Sequence, residues 1–178
     1  MKKIVFSIIA LVTTLTASAQ LSILQGDNMA ADTSHVLVAY FSATGTTEKV
    51  AQQLASEMGA RLWKIEPMDS YTEADLDWRN PDSRSSKEMK DTSERPTIKM
   101  CTNIQQYTTI YLGFPIWWGI SPRIIQSWIE NNFFDGKVII PFATSGSSPI
   151  EPAVEFLRQR YPEITFKNGL LMNDRIAK

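Results

Sequence analysis

Residues 35–58 read HVLVAYFSATGTTEKVAQQLASEM, and the reading of this stretch decides the fold. His35 to Phe41 is an almost continuous apolar run, β-branched and aromatic, the pattern of a strand buried on both faces of a parallel sheet. From Thr47 to Met58 the period changes. Val50, Leu54 and Met58 form one stripe with Ala51 and Ala55 beside it, the 3.6-residue repeat of a helix. The segment between them, Ser42-Ala43-Thr44-Gly45-Thr46-Thr47, is short and rich in hydroxyls. Strand, tight turn and helix make half of a βαβ unit, so a parallel sheet follows if the pattern recurs.

It recurs along the chain. Arg61 to Glu66 reads as a short second strand and Thr108 to Phe114 as a third. Ser121-Pro122 supplies an N-cap and a first-turn proline for a helix carrying Ile124, Ile125, Trp128 and Ile129. Val138 to Thr144 reads as a fourth strand, and Ser148-Pro149-Ile150-Glu151 as a capping box opening a helix with Val154 and Leu157 inward. A fifth strand falls within Ile164 to Met172. Pro141 lies inside the fourth strand, where it removes a ladder donor, so a bulge or irregular pairing is expected there. Strands alternating with helices predict an open α/β sheet, doubly wound and five-stranded. Residues 67–106 are charged and polar, with a short helical signal at Ser85-Ser86-Lys87-Glu88, and read as a long surface excursion between strands two and three. Its acidic residues lack the turn glycine and terminal Glu spacing of a calcium loop and read as a solvated face.

Composition narrows the function. Lys plus Arg is 18 against 19 Asp plus Glu, so no basic field is available to hold nucleic acid. At the N-terminus, Lys2 and Lys3 precede a twelve-residue apolar run, Ile4 to Leu15, and a small-residue ending, Ala17-Ser18-Ala19. That predicts a secretory signal peptide over residues 1–19, cleaved before Gln20, and an exported, periplasmic protein. The run is shorter than the ~20 apolar residues that span a bilayer, so no integral membrane segment is expected after cleavage. Cleavage would take both lysines and no acid, leaving a mature net charge of −3. Residues 20–34 are polar and aperiodic, a flexible extension ahead of the domain at 35–178. Cys101 is the single cysteine, which excludes an intramolecular disulfide and reads as a small inert hydrophobe.

In an open parallel sheet, ligands bind outside the carboxyl ends of the strands where the strand order reverses. Three segments meet there. Ser42 to Thr47 offers four hydroxyls, a glycine and a helix N-terminus that favours an anion, with no Lys or Arg. Neither GxxxxGK nor GxGxxG is present, so a triphosphate or dinucleotide site is excluded on residues. Taken alone, the segment fits a monophosphate site or a turn that only caps its helix. Pro115-Ile116-Trp117-Trp118-Gly119 puts two indoles after a buried strand; one can join the core, and a planar aromatic ligand stacked on the other explains the pair. Thr144-Ser145-Gly146-Ser147-Ser148 is free of bulky side chains and lets a ligand approach the backbone. Hydrolysis by a serine nucleophile fails because the GxSxG glycines are missing and the only histidine, His35, precedes the serine.

Together these segments resemble the flavodoxin family over about Val36 to Met172. The resemblance implies sheet order 2-1-3-4-5 and one flavin mononucleotide (FMN). It makes Ser42, Ala43, Thr44, Gly45, Thr46 and Thr47 the phosphate loop. Pro115, Ile116, Trp117, Trp118 and Gly119 become the loop beside the isoalloxazine, with Trp118 stacked on the ring. Thr144, Ser145, Gly146 and Ser147 become the second flanking loop, with Ser145 and Gly146 near the pyrimidine edge. It implies electron transfer to a redox partner protein or small quinone-like acceptor, or alternatively an FMN-dependent NAD(P)H or quinone oxidoreductase. Three features depart from the family pattern, the first being that the usual strongly acidic docking surface is muted at a mature net charge of −3. The excursion is long and could fold over the flavin with Tyr71 or Trp78. The helix that flavodoxins carry after the last strand is apparently missing, which would leave an apolar strip of sheet to be covered by Leu21 to Leu24, a partner, or a second copy of the chain in a homodimer.

Overall fold

The computed structural model describes residues 35–173. The elements run β1 (Val36–Tyr40), α1 (Thr46–Met58), β2 (Arg61–Lys64), α2 (Arg84–Lys90), β3 (Thr109–Pro115), α3 (Arg123–Glu130), β4 (Val138–Thr144), α4 (Glu151–Arg160), β5 (Thr165–Phe166) and β6 (Leu170–Leu171), with a single 3-10 turn at Ala74–Leu76 inside the excursion. Every named strand pair is parallel, and the order is β2-β1-β3-β4-β5, with β6 also on β4. The expected order and helix alternation are therefore present. The signal peptide and extension expected over 1–34 lie outside the described residues. Among the described residues no helix is long and apolar enough to cross a membrane.

The irregularity expected at Pro141 is found in the neighbouring strand. β3 and β4 stay in unbroken register from Thr109↔Val138 to Pro115↔Thr144, through Leu112↔Pro141. On the other edge, Ile139 pairs with Phe166 but Phe142 pairs with Leu170, so the last strand carries one extra residue and is divided into β5 and β6. The carbonyls of Ile139 and Ala143 accept from Lys167 N and Met172 N, which directs the odd positions of β4 toward that edge. The N–H that Pro141 lacks would have pointed the same way, so the ladder breaks there and nowhere else.

The core has two parts, one on each sheet face. Leu37, Ala39, Ile110, Leu112 and Ile139 are fully buried beneath α3 and α4, whose Ile124, Ile125, Trp128, Ala153 and Leu157 are equally enclosed. The opposite face gathers Val38, Tyr40 and Phe142 against Val50, Ala51, Leu54 and Ala55 of α1. Two expected caps are not used. Pro122, without a side-chain cap bond, precedes α3, and the Ser121 hydroxyl is buried without a partner. Ile150 precedes α4, while the Ser148 amide donates to Ser145 Oγ at 2.8 Å. In neither place does the serine hydroxyl cap its helix. The Cys101 side chain, read as a small hydrophobe, is exposed.

Candidate functional site

The three segments singled out in the sequence converge on one cleft of about 660 Å³ at the carboxyl ends of the strands. Its walls include Ser42, Ala43, Thr44, Thr46 and Thr47 after β1, Pro115 to Trp118 after β3, and Ser145 to Ser148 after β4. A contiguous hollow of about 490 Å³ shares Thr44, Thr46, Pro115, Ile116, Trp117, Ser145 and Gly146 and adds Thr144 and Asn173. Gly45 and Gly119 do not line the cleft; each supplies a backbone turn next to it.

The first segment opens α1 without a side-chain cap, although hydroxyls surround it, and Gly45 is the N-cap at φ 87°. The N–H groups of the first turn have no intrahelical acceptor and bring the positive end of the dipole to the loop. Ser42 Oγ accepts from Gly45 N at 3.1 Å and closes the loop, and Thr44 Oγ1 lies 3.4 Å from Thr46 Oγ1, both exposed. Thr47 differs: its hydroxyl is buried and lies 2.8 Å from Thr144 Oγ1, tying the first segment to the third. Among the described residues no charged side chain lines the cleft. Glu48, the one acid in the first turn of α1, is engaged by Tyr40 Oη at 2.8 Å and Lys64 Nζ at 3.2 Å. Those bonds, the tyrosine first, hold its carboxyl below the ordinary range, whereas burial and the carboxylate push Tyr40 up.

The second segment separates its two indoles. Trp117 N donates to Ile120 O at 2.9 Å and Ile120 N to Trp117 O at 3.1 Å, which closes a two-residue turn. Both central residues have positive φ, Trp118 at 48° and Gly119 at 83°, the requirement of a type I′ turn. Glycine meets it freely; a tryptophan there is uncommon, and at a ligand site such a residue marks imposed geometry. Trp117 turns inward, edge-on to Phe41 at 5.7 Å and Tyr71 at 5.5 Å. Trp118 stays 52% exposed on the cleft wall. The expected division into one core indole and one available indole therefore holds.

The remaining wall comes from the excursion, through Leu76, Trp78 and Ser85. Trp78 is 63% exposed and lines the cleft, as one of the two alternatives anticipated; Tyr71 instead packs on Phe41 and Trp117 and donates to Glu88. Ser85 and Asn173 were not anticipated. Asn173 Oδ1 accepts from Ser145 N at 2.8 Å and its Nδ2 donates to Ser145 O at 2.6 Å, a two-point clamp on the third segment. Its only sequence signal is an amide after the last strand, and that does not say which loop it reaches.

The comparisons with known proteins agree with this architecture. No curated protein matches the chain. A candidate flavoprotein from Bacteroides eggerthii DSM 20697 is 46% identical with a TM-score of 0.76, over 79% of this chain and 91% of that one. A second, from Bacteroides uniformis ATCC 8492, is also 46% identical with a TM-score of 0.76, over 80% and 97%. A flavoprotein from Lactobacillus acidophilus NCFM, solved in complex with FMN, shares the fold at 18% identity and a TM-score of 0.63, over 81% and 96%. The sequence model of the family described as Flavodoxin matches residues 35–178. A parallel sheet in the order 2-1-3-4-5, a hydroxyl-rich turn opening an uncapped helix, and that match over the whole described region lead to one conclusion: the chain belongs to the flavodoxin family.

Proposed function

We propose that this protein binds one FMN in the cleft and acts in electron transfer, with a redox partner protein or a small quinone-like molecule as acceptor. The observation that carries the reading is the uncapped N-terminus of α1, set in a hydroxyl-rich loop inside a cleft that no charged side chain of the described residues lines. Such a site suits a monophosphate ester held by oriented neutral donors rather than by a cation. The Thr44 and Thr46 hydroxyls and the first-turn amides would hold the phosphate. Trp118 would cover the ring and keep water from it, and the small side chains at Ser145 and Gly146 leave the backbone open to its polar edge. FMN, when bound, supplies the redox chemistry; the protein binds it, orients it and sets its surroundings.

A second reading, an FMN-dependent NAD(P)H or quinone oxidoreductase, is favoured by one feature. Two half-exposed indoles, Trp78 and Trp118, line the same cleft and leave aromatic surface for a second planar molecule. Turnover with NADPH and a quinone separates the two readings.

Flavin absorption bands in the purified protein test the cofactor, and Thr44→Ala tests the loop. Loss of one neutral donor to a phosphate dianion costs about 1.5 to 3 kcal/mol, roughly ten- to a hundredfold in FMN affinity. Riboflavin, which lacks the phosphate, should bind the variant and the parent alike. Equal FMN affinity for the two proteins would remove the loop from the site.

A further inference from the structure

One polar group in the cleft is not accounted for by the strand-end segments. Ser85, in the first turn of α2, is 2% exposed, lines the cleft, and its hydroxyl has no hydrogen-bond partner. Its neighbours are both engaged, Ser83 Oγ donating to Ser86 Oγ at 2.9 Å and accepting from Ser86 N at 3.3 Å. A buried hydroxyl without a partner is unfavourable, and folded proteins rarely keep one without a reason. Ser121 and Gln126 also bury unpartnered polar atoms, but neither lines this cleft.

The position of Ser85 is imposed by its surroundings. Glu88, one turn along α2, accepts from Tyr71 Oη at 2.5 Å and from Arg84 Nε at 2.6 Å, and Arg84 Nη1 donates to Asp69 O at 2.7 Å. From the far side the buried Arg123 donates to the carbonyls of Glu88 and Met89 at 3.2 and 2.9 Å. Tyr71, held by the same carboxylate, packs edge-on to Trp117, the residue that opens the turn carrying Trp118. The excursion is thus joined to the cleft wall on both sides, and Ser85 is carried on a helix that these bonds hold in place.

We propose that Ser85 is a ligand of the bound flavin, so that the excursion between β2 and β3 holds the cofactor together with the three strand-end segments. This inference rests on the FMN reading of the cleft. A serine hydroxyl donates one hydrogen bond and accepts others, so it can serve a phosphate oxygen, a ribityl hydroxyl or the polar edge of the ring. Three flavins separate these sources: FMN, riboflavin, and lumiflavin, which lacks the ribityl chain.

The experiment measures binding of all three by the full chain and by Ser85→Ala, together with the melting temperature of each flavin-free protein. Ser85→Ala is expected to weaken FMN roughly five- to fiftyfold. Loss confined to FMN identifies a phosphate contact, loss shared with riboflavin a ribityl contact, and loss across all three a ring contact. The melting temperature of the flavin-free variant should be unchanged or higher, because the substitution removes a buried unpartnered group. If affinity and flavin-free melting temperature fall together, Ser85 is a packing residue and the proposal is overturned. Equal affinity of parent and variant for all three flavins overturns it as well. A parent chain that takes up no flavin defeats the FMN reading itself, and this inference with it.

Discussion

The two faces of the sheet are covered unequally. Under α3 and α4, the side chains of β1, β3 and β4 are shut away from water: Leu37, Ala39, Ile110, Leu112, Phe114, Ile139 and Ala143 are all fully buried. On the opposite face α1 covers Val38 and Tyr40, but Tyr111, Val138 and Ile140 remain partly open; at the short β6 edge Leu170 and Leu171 are exposed on both faces alike. The same strands supply both sets in alternation, so the difference lies in the helical layer above them and not in the strands. The closed face also holds Phe41, Trp117 and Tyr71, the aromatic cluster behind the cleft. The site therefore leans on the better-packed half of the molecule, and the other half has apolar surface to spare.

The largest effect of this asymmetry should appear in paired truncations read by denaturant unfolding. Leu112→Ala, on the closed face, is expected to cost about 2 to 5 kcal/mol, whereas Ile140→Ala, two residues of sheet away on the open face, should cost less than about 1 kcal/mol. Equal losses would show that the open face is as well covered as the closed one. Next comes Gly113→Ala. A Cβ there would lie 2.2 Å from Phe142 Cζ, and the Phe142 ring, which would have to shift, is fully buried. We expect about 1 to 3 kcal/mol of destabilisation, with Phe142→Leu in the same chain restoring part of it.

A smaller effect concerns association. We propose that a second copy of the chain covers the open strip, and Ile140→Lys should then raise the dimer dissociation constant roughly tenfold or more in sedimentation equilibrium while leaving each protomer folded. A parent chain that sediments as a monomer at all concentrations would exclude the dimer. The smallest effect is electrostatic. Glu48, beside the open face's Tyr40, has its carboxyl lowered by that tyrosine and by Lys64. A lowered folded-state value contributes stability above the ordinary carboxylate range and loses it as pH falls through the folded value, so acid should weaken the protein there. The pair is part-exposed and the gain modest. Tyr40→Phe should flatten this limb of the stability profile; an unaltered limb would mean that other carboxylates set it.

Much of this molecule is written in local pattern. The continuous apolar runs at β1, β3 and β4 and the stripe Val50, Leu54, Met58 depend only on which side chains must leave water, and such patterns survive in any context that buries them. The three loop segments were also readable, because a strand-to-helix turn in a parallel sheet has one place to be. From the residues alone the division of labour between Trp117 and Trp118 was legible only as an alternative, and the family resemblance chose Trp118 as the ring's partner. The outcome depended on Phe41 and Tyr71 offering edges to one indole, and Tyr71 lies in a segment without a readable period.

The sequence by itself determined the parallel sheet, its alternation with helices, the hydroxyl-rich turn before α1 and the absence of cations from it, since each follows from residue type at fixed spacing. Tertiary structure alone decided where Pro141 would break a ladder, because a missing N–H matters only toward the neighbour it would have served. It decided too that Ser121 and Ser148 would not cap their helices, and that Leu76, Trp78, Ser85 and Asn173 would reach the cleft. These residues come from an aperiodic excursion and from beyond the last strand. Their positions were set by long-range contacts, Arg123 on the carbonyls of α2 and Asn173 on Ser145, which no local pattern encodes.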